Sequence, residues 1–129
     1  MFPESSAVRR NRIFLLFYMM LIFILSALPS DESLSFRFLA DLKPQWQNLL
    51  HIPVYMILAF LWLHGVSSPH EQSMSVFLYA NGYGIFNELV QMMIPGRFFS
   101  FLDMLLNGLG VVLGIMAFRC YTKIHRGLT

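Results

Sequence analysis

Near the end of the chain, Glu88, Gln91, Arg97, Ser100, Asp103, Asn107, Gly110 and Gly114 follow one another inside sequence apolar enough for a lipid bilayer. Carboxylates, a guanidinium and amides are costly there, so each needs a partner, a water-filled cavity or a ligand. Upstream, His51 and Tyr55 stand four residues apart near the start of another apolar stretch. These residue types suit three kinds of chemistry. Arg97 is suited to bind a phosphate group. His51 or a carboxylate is suited to general acid/base work or proton relay. Imidazole with carboxylates, as in His51, Glu88 and Asp103, suits zinc or iron. No close-spaced metal motif accompanies these three, so the expectation is no metal and no cofactor.

The elements that must position these residues follow from composition. Of the 129 residues, 57% are hydrophobic and only 12% charged, about half the ~25% usual in a soluble domain. Mean hydropathy is +0.60 and there are 13 Phe, so lipid rather than water is the expected main solvent. The length suits one domain, residues 1–129, holding four spans of roughly 20 residues and short loops. A net charge of +2 is too small to suggest a nucleic-acid partner. The lone Cys120 allows no intramolecular disulfide.

The fold class read from this pattern is all-α, a four-helix transmembrane bundle. Spans are expected at about 13–29, 46–65, 74–94 and 98–121. A polar, basic leader carrying Arg9, Arg10 and Arg12 precedes the first. The first span is longer than a signal-peptide core, and Leu25-Ser26-Ala27 is a poor cleavage site, so it is expected to stay uncleaved. The connection after it carries Leu34, Phe36, Phe38 and Leu39, which could form an interfacial segment. Pro53 falls in the first two turns of the second span, where a missing backbone donor is tolerated best. Trp46 and Trp62 suit its two interfaces. Ala80 and Gly84, and Gly110 and Gly114, have the spacing of helix-packing faces. Asn81 lies deep in the third span as a bond to a neighbouring helix, while His64 and His70 read as surface residues. Arg9, Arg10, Arg12, Arg119, Lys123 and Arg126 share the side of both termini and outnumber Arg37, Lys43 and Arg97 opposite. That bias puts both termini in the cytoplasm.

In a four-span chain, the start of span two, the end of span three and the start of span four share one membrane face. At about 1.5 Å per residue, His51 and Tyr55 lie roughly 7 and 13 Å inside Trp46. Gln91 and Glu88 lie roughly 6 and 10 Å inside Pro95, and Asp103 and Asn107 roughly 7 and 13 Å inside Phe98. Three helices therefore offer polar faces at matching depth, with Arg97 above them in the Pro-Gly-Arg turn and Ser100 just below it. The groups either satisfy one another as a hydrogen-bonded plug that sets helix register, or line a pocket open to the outer leaflet. Their number favours the pocket, because it exceeds what register needs.

These residues resemble the VanZ-like family of small bacterial membrane proteins. The family pattern has a His followed four residues later by a Tyr, matched by His51 and Tyr55. It then has a hairpin with Glu-x-x-Gln, an Arg, an Asp, an Asn and spaced glycines. Glu88, Gln91, Arg97, Asp103, Asn107, Gly110 and Gly114 match that part. The match covers spans two to four; the first span agrees only in being apolar. Many members carry a Lys shortly before the His, where this chain has Asn48, so a ligand or affinity that depends on that Lys would differ here. The resemblance implies an integral membrane protein and an association with glycopeptide resistance, such as to teicoplanin. It implies no reaction.

The candidate ligand-binding residues are His51, Tyr55, Glu88, Gln91, Arg97, Ser100, Asp103 and Asn107. The favoured function is binding of an anionic lipid or lipid-linked cell-envelope precursor head group in a pocket on the extracytoplasmic side of the bacterial inner membrane. One alternative is a membrane enzyme acting on such a lipid by acid/base chemistry. Another is a structural partner of a membrane protein, or a homo-oligomer, using the glycine faces.

Overall fold

A computed structural model describes residues 6–27, 48–94 and 98–127. Among them the fold is all-α, with four helices and no strand: α1 Ser6–Ser26, α2 His51–His64, α3 Ser73–Gln91 and α4 Phe101–Gly127. The expected segment around Leu34–Leu39, the connection carrying Arg37 and Lys43, Trp46 and the Pro95-Gly96-Arg97 turn lie outside the described residues.

The side-chain contacts give the direction of each helix. Asn11 and Arg12 near the start of α1 donate to His64 O at 3.1 Å and Gly65 O at 2.8 Å, past the end of α2. They supply donors for carbonyls that a helix C-terminus leaves open. Tyr83 of α3 donates to Met19 O of α1 at 2.5 Å, and Phe23 stacks on Phe86. Trp62 near the end of α2 stacks on Tyr79 near the start of α3. Helices α1 and α3 thus run one way, α2 and α4 the other. The end of α1, the start of α2, the end of α3 and the start of α4 meet at one end of the bundle.

The tightest pairing is α2 on α4. Gly110 and Gly114 cause it: a Cβ on either would run into the backbone carbonyl of Ile52 or Met56 of α2. Small residues let two helix backbones approach this closely. Val111 and Phe118 continue the buried stripe of α4 and belong to one apolar core with Leu58, Ala59 and Leu63 of α2. Gly84 lies against the Asn107 amide and the Tyr55 ring, at 3.1 and 3.2 Å from where its Cβ would be.

Boundaries depart from expectation for local reasons. Helix α2 begins at His51, so Pro53 sits in its first turn, where backbone N–H groups have no partner within the helix and a missing one costs least. Helix α4 begins at Phe101 because Ser100 caps it, its Oγ accepting the Asp103 N–H at 3.2 Å. It runs on to Gly127, beyond the expected end at 121, so Lys123 and Arg126 lie on the helix. Among the described residues, one helix, over Phe101–His125, is by itself long and apolar enough to cross a membrane, with mean hydropathy 1.9. Helix α2 has 14 residues, about 21 Å at 1.5 Å each. Asn81, Asn87, Glu88 and Gln91 dilute α3, and α1 opens with Arg9, Arg10 and Arg12.

Two assignments need correcting. Asn81 donates to Phe77 O of its own helix at 2.7 Å rather than to a neighbour. His64 is half-buried in an aromatic cluster with Phe60, Phe118 and Tyr121, at ring-centroid distances of 4.9, 5.0 and 5.5 Å. It lies there because α4 continues past the end of α2. His70 is exposed.

Candidate functional site

The site is built at the bundle end where four helix termini meet. The start of α4 determines its layout. A helix start leaves backbone N–H groups unsatisfied and carries a partial positive charge. In a capping box, the acid three residues after the Ser would reach back to the Ser N–H. Here Glu88 of α3 accepts the Ser100 N–H instead, through Oε2 at 3.3 Å. Glu88 is 1% exposed, so the positive end of α4 offsets part of the cost of burying its charge. The Asp103 carboxylate is thereby left to turn towards α2.

There it meets His51, whose Nε2 lies 3.8 Å from Asp103 Oδ2. The other ring nitrogen, Nδ1, contacts Asn107 Oδ1 at 2.8 Å. Asn107 sits one helical turn beyond Asp103, so the two present one face of α4 to the imidazole. An amide oxygen only accepts, so this contact suits the tautomer with the proton on Nδ1, which turns Nε2 towards Asp103. Potential ligand atoms of His51, Glu88 and Asp103 all lie within 4.8 Å of one another. Asp103 Oδ1 and Asn107 Nδ2 are buried and make no hydrogen bond among the described residues.

Beside this cluster is a cavity of about 390 Å³ between α1, α2 and α3. Leu21, Ile22 and Leu25 of α1 and Val54 of α2 form apolar wall; Ser26, His51, Tyr55, Asn87 and Gln91 supply polar groups. Tyr55 is 2% exposed and its hydroxyl accepts from Asn87 Nδ2 at 3.2 Å. Ser26 of α1 reaches Asn87 Oδ1 at 3.5 Å.

Seven of the eight residues singled out by sequence therefore lie at this end: His51, Glu88, Asp103, Asn107 and Ser100 in one cluster, with Tyr55 and Gln91 on the cavity. The eighth, Arg97, lies outside the described residues. Two contributions escaped the sequence reading. Asn87 shares a face with Gly84 and Gln91, and that spacing was the available signal. The α1 wall, with Tyr18 donating to Val54 O at 3.0 Å, follows from packing and has no motif.

Comparisons with curated proteins and with solved structures returned no match. The family model described as VanZ/LLP1 matches residues 12–122, which include all four helices in whole or large part. The match takes in the α1 wall as well as the polar hairpin, and the chain belongs to the VanZ/LLP1 family.

Proposed function

We propose that this chain is a multi-pass protein of the bacterial cytoplasmic membrane, with both termini in the cytoplasm. In this reading it holds the head group of an anionic lipid or lipid-linked envelope precursor in the polar, extracytoplasmic end of its bundle. The carrying observation is the cavity of about 390 Å³, whose apolar α1 wall meets a polar set from α2 and α3. A lipid needs that combination: hydrocarbon along one wall and hydrogen-bonding groups at one end. Family membership supports the envelope association.

The distribution of polarity supports a membrane setting. Phe14, Leu16, Phe17, Leu78, Phe86 and Leu105 are exposed, while Asn87, Glu88, Asp103 and Asn107 are buried. Water would favour the opposite arrangement. The alternative of a helix partner docking on the glycine face loses support at Gly110 and Gly114, which α2 of the same chain already covers. Arg97 remains the proposed phosphate-binding cation, since a guanidinium can engage phosphate oxygens in pairs.

Native mass spectrometry of gently purified protein tests the reading. The expected result is a retained anionic lipid, lost progressively in Arg97→Lys and Arg97→Ala variants that still insert and fold. Lysine keeps the charge but not the planar fork. Equal retention in all three, or no retained lipid in the wild type, would leave the hydrogen-bonded plug as the better reading. Chemical change in an added lipid substrate would move the assignment to an acid/base enzyme with His51 as the first candidate.

A further inference from the structure

We propose that His51, Glu88 and Asp103 form a binding site for one divalent metal ion of the zinc, manganese or iron class. This goes beyond the head-group reading and reverses the sequence expectation, which rested on the absence of a close-spaced motif. The ligands come from three helices, so no short motif could have announced them.

Three observations carry the proposal. The donor atoms lie within 4.8 Å of one another. Donors on a tetrahedral zinc ion at about 2.1 Å are about 3.4 Å apart, so the groups need to close by up to about 1.4 Å. Asp103 is 9% exposed, and its Oδ1 makes no hydrogen bond among the described residues. It belongs to the cluster, with its other oxygen 3.8 Å from His51 Nε2. Finally, Asn107 Oδ1 lies 2.8 Å from His51 Nδ1 and accepts its N–H when that nitrogen is protonated. That contact orients the ring and leaves Nε2 as a metal-binding lone pair, the arrangement found behind metal-ligating histidines. One imidazole and two carboxylates suit a borderline divalent ion.

Three protein ligands leave a coordination position open to water or an incoming oxygen. His51 also lines the cavity. If the head-group reading holds, the ion adds a positive charge that a phosphate oxygen could meet at this end of the bundle.

The test uses tag-free, full-length protein in detergent, delipidated and stripped with a chelator, then titrated separately with Zn²⁺, Mn²⁺ and Co²⁺. The expected result is one equivalent bound per chain, with binding weakened at least tenfold in Asp103→Asn and in His51→Gln. Asn107→Ala, which removes the ring's hydrogen-bond partner without touching the three ligands, should weaken it about ten- to a hundredfold. His70→Gln, at the opposite end of the bundle, should bind as wild type. X-ray absorption of the metal-loaded wild type needs no variant to fold, and should show an oxygen and nitrogen shell containing one imidazole. Substoichiometric uptake, binding unchanged in Asp103→Asn, or a shell without imidazole would each overturn the proposal. Lipid retention, measured on metal-free protein, reports on the head-group reading separately.

Discussion

Ser100 shows how a single hydroxyl organises the polar end. Its Oγ caps α4 by accepting the Asp103 N–H, while its own N–H goes to Glu88. That division of partners holds Glu88 at the start of α4 and lets Asp103 face His51. Replacing Ser100 by Ala should cost about 1 kcal/mol, the usual worth of an N-cap, and Ser100→Thr should keep most of it. Thermal unfolding in detergent measures the difference; an Ala variant as stable as wild type would mean that the cap contributes little. The same residue was chosen from sequence only for its place below Arg97. Its capping role depends on where the helix starts, which moved from the expected 98 to Phe101.

At the scale of elements, the close approach of α2 and α4 decides whether the site exists. His51 and Asn107 are 56 residues apart and meet only because Gly110 and Gly114 let the two helices touch. Gly110→Ala and Gly114→Ala would each drive a methyl into a main-chain carbonyl of α2, and backbone cannot give way as a side-chain tip can. A loss of about 1–3 kcal/mol is expected for such overpacking, with the His51 contacts disturbed as well. Gly108→Ala would meet only the Asn81 side-chain oxygen, at 3.1 Å, and should cost less. Among the described residues, nothing lies within 4 Å of a Cβ added at Gly82, so Gly82→Ala should be neutral or stabilising by up to about 1 kcal/mol through helix propensity. Melting temperatures of the four variants in one detergent give the order. Equal effects at positions 82 and 110 would contradict the packing account.

The whole molecule is polar at one inner end and apolar over much of its outside. A bundle of this kind is expected to remain with membranes after alkaline carbonate washing. Its proposed orientation follows from the basic residues near the two termini. A reporter active only outside the cytoplasm should be silent when fused after Thr129 and active when inserted between residues 31 and 43. The reverse result would move the polar end to the cytoplasmic leaflet, and any ligand with it. Release of the protein by carbonate would argue against a membrane-spanning arrangement altogether.

Helix periodicity and apolar content determined the all-α class, the number of helices and the shared level of His51, Glu88, Asp103 and Asn107. Those properties depend on rise per residue and on the alternation of apolar stretches with polar breaks, both of which are local. The glycine spacing likewise announced a close helix contact, though not which helix would fill it. Tertiary structure decided the rest. It showed that Glu88 takes the capping-box position Asp103 might have filled, that Asn107 sets the His51 ring, and that α1 walls a cavity with Asn87. Each of these depends on the relative rotation of packed helices. A rotation of one residue, about 100°, would carry a side chain to another face, and no local pattern in this chain specifies it.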